Sequence, residues 1–228
     1  MQLLTIAFFD FSRRLRMIST WVYFALYAFI AGLWIAAAGG AVAHASVSFG
    51  GDKVLINGPY ALAIGIAVLG FTGITIIGSI AGRAVQQDFE YGTYHFFFSA
   101  PIRKSDYFFG RLLGACMTLV MVFLGIILGV LVGAHWPGVD PTRIVADPSW
   151  ETFARPYLFV LVTNVLWLSG CFFVLAALAR HMTPVYVAGV LALVGYLFAV
   201  NLLGDMDNKT LAALVDPSGA TAVDVLTR

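Results

Sequence analysis

The chain has 228 residues, of which 61% are hydrophobic and 11% are charged, and its formal net charge is +1. A soluble domain usually carries about 25% charged residues, so a chain this apolar lacks the polar groups to cover a water-exposed surface. The near-neutral charge argues against nucleic acid as a partner, because proteins that bind it concentrate Lys and Arg on one face. Composition therefore indicates an integral membrane protein.

Residues 1–18 predict an amphipathic helix at the membrane surface. Its apolar positions are Leu4, Ala7, Phe8, Phe11 and Leu15, and its charged positions are Asp10, Arg13, Arg14 and Arg16. Such a helix lies in the headgroup plane and turns its arginines toward anionic lipid. A simple anchor at the start of the chain is the alternative.

Five stretches without Asp, Glu, Lys or Arg approach the roughly 20 apolar residues that a membrane-spanning helix needs. They are residues 21–43, 60–82, 112–134, 157–179 and 185–203. The predicted fold class is therefore all-α, a polytopic membrane helix bundle with five transmembrane helices. The polar outer tail 204–228 leads us to expect a longer protein, with a sixth span after this segment.

The distribution of Lys and Arg predicts the orientation. With the N-terminus inside, eight basic residues lie inside and five outside. The inner ones are Arg13, Arg14, Arg16, Arg83, Arg103, Lys104, Arg111 and Arg180, and the outer ones are Lys53, Arg143, Arg155, Lys209 and Arg228. This bias follows the positive-inside rule and predicts a cytoplasmic N-terminus.

Small and polar residues within the spans have two interpretations each. Gly125, Gly129 and Gly133 form a small-residue face that either packs spans within the chain or forms a homodimer seam. Asn164 and Asn201 either make hydrogen bonds between helices or line a substrate path. No predicted span contains a carboxylate or a lysine, so an ion-coupled carrier would lack its usual coupling group.

The predicted inner loop, residues 83–111, has an ordered composition. An acidic pair comes first, then a Gly-Thr break, an aromatic stretch, a proline and a basic pair. Aromatic residues beside charges are typical of a surface that docks onto a partner. Aromatic side chains lying on lipid are the alternative.

This segment resembles the loop after the second span of type-2 ABC transporter permeases. The matching positions are Asp88, Glu90, Gly92, Thr93, Pro101, Arg103, Tyr107, Gly110 and Arg111. Arg111 stands where the family more often has lysine, and Lys104 and the run 96–98 are less typical of it. The resemblance covers the layout of the whole chain, but only this loop is specific.

The resemblance implies that residues 83–111 form a coupling loop, seated on an ATP-binding subunit at the cytoplasmic side. It also implies pairing with a second permease copy or half, and export across a bacterial inner membrane. The chain has no phosphate-binding loop, so we expect ATP and Mg²⁺ in the partner, no cofactor in this chain and no enzymatic activity of its own.

Two other functions remain open from the residues alone. His44 and His135 fall at the outer ends of spans, where paired imidazoles could ligate haem in a membrane redox subunit. The chain could also anchor a fused enzyme on the outer side. Cys116 and Cys171 lie in apolar runs and are interpreted as small buried hydrophobic residues.

Overall fold

All regular elements are helical in the computed structural model, which describes residues 2–41, 55–92, 95, 102–145, 148–204, 211, 213, 216 and 218–227. The helices in chain order are α1 (Gln2–Leu15), α2 (Ile18–Ala38), α3 (Pro59–Thr72), α4 (Ile74–Glu90), α5 (Lys104–Ala134), α6 (Trp150–Pro156), α7 (Thr163–Ala179), α8 (Thr183–Gly204) and α9 (Ala220–Thr227). A π-helical segment, Tyr157–Val162, joins α6 to α7. A short 3-10 helix, Pro141–Arg143, precedes α6.

Three helices are long and apolar enough to cross a membrane, namely α2, α5 and the continuous helix Trp150–Ala179. The pair α3 and α4 makes a fourth if it is counted as one span, bent by 53°. The all-helical fold with several membrane-length helices is thus confirmed, whereas the count of five is not. The apolar described part of α8, Thr183–Ala199, is shorter than a full span.

The predicted second span, 60–82, is interrupted at Gly73. This residue precedes α4 with a φ of −72° and a ψ of 1°, outside the helical values, and no side chain caps the helix there. Sharp breaks in helices commonly occur at glycine, which has no Cβ to favour the regular conformation. An apolar count over the same residues does not detect such a break.

One compact unit comprises Met1–Val22, Thr72–Val122 and Val165–Gly195. Within it, two glycines let α4 approach α7 and the start of α8. A Cβ at Gly78 would lie 3.5 Å from the Phe172 ring, and one at Gly82 would lie 3.1 Å from Met182. Phe108 of α5 meets Phe173 of α7 edge to face, with ring centroids 6.3 Å apart.

The other unit comprises Tyr23–Phe71, Phe123–Asn164 and Tyr196–Arg228. Its main seam joins α2 to α5, where a Cβ on any of three glycines would overlap a backbone oxygen of α2. The pairs are Gly125 with Phe24, Gly129 with Ala28, and Gly133 with Gly32. The small-residue face therefore packs within the chain, the first of its two interpretations.

Candidate functional site

The segment predicted as a coupling loop is helical at both ends. Helix α4 continues to Glu90, and the backbone N–H of Tyr91 still bonds to Gln87 O. Gly92, with a φ of +67°, then ends the helix in the left-handed conformation that glycine adopts at low cost. Helix α5 begins at Lys104, so the connection is shorter than residues 83–111. Ala84 and Val85 are fully buried, which explains why this polar stretch is helical.

Two of the motif residues, Asp88 and Arg111, form a buried ion pair between the end of α4 and the start of α5. Arg111 Nη2 donates to Asp88 Oδ1 at 2.7 Å, and both residues are 5% exposed. Tyr107, one turn before Arg111, donates its hydroxyl to Asp88 Oδ2 at 2.5 Å. The Arg111 guanidinium also lies 5.8 Å from the centre of the Tyr107 ring. Asp88 is therefore held by two donors from α5.

Helix α1 adds a second carboxylate to this pair. Asp10, fully buried, accepts at Oδ1 from Arg111 Nη1 at 2.9 Å and at Oδ2 from Arg14 Nε at 2.9 Å. Arg13 Nη2 donates to Asp10 Oδ1 at 3.0 Å. We call Asp10, Arg13, Arg14, Asp88 and Arg111 the ion cluster. It connects α1, α4 and α5.

Small residues on α5 allow α1 to come this close. A Cβ at Gly110 would lie 2.9 Å from Ile6 Cβ, and one at Gly114 would lie 2.8 Å from the backbone oxygen of Ala7. A larger residue at either position would push α1 away from α5. Gly110, predicted as a coupling residue, is therefore a spacer for the contact that brings Asp10 to Arg111.

The charges of the ion cluster stabilise one another. Burial alone raises the pKa of the Asp10 carboxyl, but the nearby charges of Arg14 and Arg111 outweigh burial and hold this pKa below its ordinary value of 3.8. Burial lowers the pKa of the Arg14 guanidinium, and Asp10 opposes that effect. Arginine nevertheless stays protonated in proteins. Asp10 and Arg14 are thus both charged at neutral pH.

The structure divides the predicted coupling residues into two groups. Asp88, Tyr107, Gly110 and Arg111 are buried and contact other parts of the same unit. Glu90 and Arg103 are exposed, and Gly92 is half-buried. Thr93 and Pro101 lie outside the described residues. Among the described residues of the motif, only Glu90, Gly92 and Arg103 are therefore accessible for direct contact with a partner.

Asp10 and Arg14 belong to the candidate site but were not predicted as site residues from the sequence. We expected the arginines of α1 to face lipid headgroups, but Arg14 is buried and pairs with the buried Asp10. Three large apolar side chains, Leu4, Phe8 and Phe9, are instead 64–66% exposed. The spacing of Asp10 and Arg14, four residues apart, was a visible signal for a pair on one helix face.

Of the two asparagines predicted to line a path, Asn164 is engaged within its own unit. Its Nδ2 donates to the backbone oxygen of Ser218 at 2.8 Å, so it ties α7 to the turn before α9. Asp216 accepts at Oδ1 from Ser218 N at 2.9 Å and at Oδ2 from Thr221 N at 2.7 Å, which fixes the turn. The Asn201 side chain lies outside the described residues.

Of the two histidines predicted to ligate haem, only His135 lies within the described residues. His44 lies outside them, and His135 Nδ1 lies 2.8 Å from the backbone oxygen of Leu131 in its own helix. The part of the chain that the structure describes contains no group of three or more His, Cys, Asp or Glu side chains that could hold a metal ion.

Comparison of the chain with protein-family models, with curated proteins and with solved structures finds no match.

Proposed function

We propose that this chain is the membrane-spanning permease subunit of an ATP-driven ABC transporter. ATP would be hydrolysed with Mg²⁺ in a separate ATP-binding subunit on the cytoplasmic side. A second permease copy or half would complete a dimeric exporter in the bacterial inner membrane. The proposal extends the resemblance in residues 87–111, and one structural observation gives it a mechanism.

That observation is the ion cluster, in which Arg111 bridges Asp10 of α1 and Asp88 of α4. The helix ends on both sides of the α4–α5 connection thus contribute residues, Asp88 and Arg111, to the same buried ion cluster. A displacement of this segment by a partner would move the ends of α4 and α5 together instead of only bending a loop. Buried charge pairs resist such separation, since breaking one costs about 3–5 kcal/mol.

Exposed residues beside this core supply a surface for the partner. Glu90 and Arg103 are exposed at the two ends of the connection, and the Tyr91 side chain is 76% exposed. Arg180, in the turn after α7, lies with its guanidinium 5.8 Å from the centre of the Phe89 ring and is itself exposed. Charges around an aromatic side chain are typical of a docking surface.

The test is co-expression of the chain with an ATP-binding subunit encoded beside its gene, followed by co-purification and an ATPase assay in proteoliposomes. Glu90→Lys and Arg103→Glu should reduce co-purification about tenfold, equivalent to 1.4 kcal/mol of binding free energy. Their melting temperatures should match the wild type because both side chains are exposed.

Glu151→Lys is the matched control, since Glu151 is exposed and pairs only with Arg155 among the described contacts of α6. It should leave co-purification unchanged. The proposal fails if no ATP-binding subunit co-purifies, or if the control weakens binding as much as the two coupling variants. Asp88 is unsuitable for this test, because its replacement would disturb the ion cluster itself.

A further inference from the structure

An apolar groove lies between α2 and α5, within the unit that comprises Tyr23–Phe71, Phe123–Asn164 and Tyr196–Arg228. Its volume is about 200 Å³, and it is lined by Ala28, Phe29, Gly32, Leu33, Leu128, Gly129, Val132 and Trp136. The indole N–H of Trp136 is the one polar side-chain group in this set. An apolar space of this kind stays dry, and a cavity of about 150 Å³ already binds benzene. The groove therefore has room for hydrocarbon.

Large side chains form the walls of the groove, and small residues form its floor. Residues four apart lie on one face of a helix. Phe29 and Leu33 form the wall on α2, and Leu128 and Val132 form the wall on α5. These four side chains are 42–62% exposed, whereas the two glycines of the floor are buried. The groove is thus open on the side away from the chain and runs along both helices.

The two helices run in the same direction, because successive glycines of α5 meet successive positions of α2. The pairs, in order, are Gly125 with Phe24, Gly129 with Ala28, and Gly133 with Gly32. Both helices are long and apolar enough to cross a membrane. Where they cross it, acyl chains surround the open side of the groove. A hydrocarbon chain that follows the helices matches this elongated apolar space.

Trp136 supplies a polar group at one end of the groove. It lies two residues after α5 ends, and the parallel pairing of the helices places it at the Leu33 end. Its side chain is 48% exposed, and among the residues that the structure describes none accepts from its indole N–H. Tryptophan is enriched at membrane boundaries, where the ring lies in apolar surroundings and the N–H reaches a polar acceptor.

We infer that the groove binds one acyl chain of a membrane phospholipid, and that the ester carbonyl at the head of this chain accepts a hydrogen bond from Trp136 Nε1. A phospholipid carries both required features, a hydrocarbon chain and an acceptor at its end. A second copy of the chain could fill the apolar space, but the N–H at its end favours the lipid. The inference requires only that α2 and α5 lie in the membrane and is independent of the proposed transport function.

The experiment uses the full chain, reconstituted in phosphatidylcholine nanodiscs and then transferred into detergent. Native mass spectrometry counts the phosphatidylcholine molecules that each chain retains and reports the oligomeric state in the same spectrum. The wild type should retain one lipid. Ala28→Leu should lose it, because Ala28 lines the groove and the larger side chain would fill it. Trp136→Phe keeps an aromatic ring without the N–H and should weaken retention about fivefold, the effect of losing one hydrogen bond.

Ala25→Leu and Trp150→Phe are the matched controls. Ala25 is exposed on α2, Trp150 is 74% exposed at the start of α6, and neither lines the groove. Both variants should retain the lipid as the wild type does. Equal loss in the controls would indicate general contact with lipid and overturn the site, as would full retention in Ala28→Leu.

Two further outcomes would overturn parts of the inference. A dimer without retained lipid, dissociated by Ala28→Leu, would identify a second copy as the occupant and overturn the lipid. Unchanged retention in Trp136→Phe would overturn the hydrogen bond to the ester carbonyl. This variant also keeps the inference testable if Ala28→Leu fails to fold, since the Trp136 side chain is half exposed and its replacement leaves the seam between the helices unchanged.

Discussion

Asp10 lies 101 positions before Arg111 in the chain, and its Oδ1 accepts a hydrogen bond of 2.9 Å from Arg111 Nη1. The other terminal nitrogen of Arg111 bonds to Asp88. One guanidinium group therefore bridges carboxylates from two other helices. Only arginine has the planar fork for this geometry, because a lysine ammonium is a single point of charge on a flexible stem.

Replacing Arg111 with glutamine should strongly destabilise the protein. The change would leave Asp10 and Asp88 buried without their shared counter-ion, at a cost of about 3–5 kcal/mol. Arg111→Lys should recover only part of this loss, since it cannot bond to both carboxylates in the same way. Denaturant unfolding of the purified protein in detergent measures the effect. Arg155→Gln is the control, because the Arg155–Glu151 pair is exposed and should contribute about 0–1 kcal/mol.

Acid should weaken the α1–α5 contact through Asp10. Its pKa in the folded protein is lower than its ordinary 3.8, so the folded state favours the ionised carboxylate. The resulting stabilisation is complete above that ordinary value and is lost as the pH falls through the lower pKa of the folded protein. Asp10→Asn should be less stable at neutral pH and lose less stability in acid. Melting temperatures from about pH 7 to about pH 3 test this, and parallel curves for both proteins would contradict it.

Hydropathy located the membrane-length helices but does not show where each helix begins or breaks. Helix α5 begins at Lys104, eight residues before the predicted third span, and its polar first turns bury only one face, at Tyr107, Gly110 and Arg111. The hydropathy pattern also does not indicate the break at Gly73, since apolar residues lie on both sides of it. The average hydrophobicity of a segment indicates whether it can lie in the apolar interior of a membrane, but it does not indicate where the backbone bends.

The ion cluster could be predicted only in part. The spacing of Asp10 and Arg14 indicates a local pair, and Asp88, Tyr107 and Arg111 belong to one motif. The contact between Asp10 and Arg111 joins residues far apart in sequence, and no periodicity within either helix indicates it. For this reason we predicted that the arginines of α1 face lipid, although Arg14 pairs with Asp10 inside the unit.

A methyl group at Gly129 should disrupt the seam between α2 and α5. The added Cβ would overlap the backbone oxygen of Ala28, and overpacking of this kind typically costs about 1–3 kcal/mol. Gly170→Ala is the control, because a Cβ at Gly170 meets nothing within 4 Å. Unfolding is followed by the reaction of Cys116 with a thiol dye. Cys116 is buried as expected, whereas Cys171 is exposed, contrary to the expectation from the sequence, and is first replaced by alanine. Equal melting temperatures of the two glycine variants would contradict the described packing.

The contact between Asn164 and Ser218 should control access to the turn before α9. Ser218 is fully buried, and its backbone oxygen accepts from Asn164 Nδ2 at 2.8 Å. Asn164→Leu would leave that oxygen without this donor, at a cost equivalent to about a tenfold change in the opening equilibrium. A cysteine introduced by Ser218→Cys should then react about tenfold faster with a membrane-impermeant maleimide.

General loosening of the unit would also expose position 218, so a second asparagine separates the two causes. Asn57 bonds through its amide to both backbone groups of Val145 in the same unit, and Asn57→Leu should not raise the labelling rate at position 218. If both asparagine variants raise it equally, Asn164 stabilises the unit as a whole. If only Asn164→Leu raises it, the hydrogen bond holds the turn in place, because the introduced leucine removes the donor and leaves the bonds from the backbone N–H groups of residues 218 and 221 to Asp216 intact.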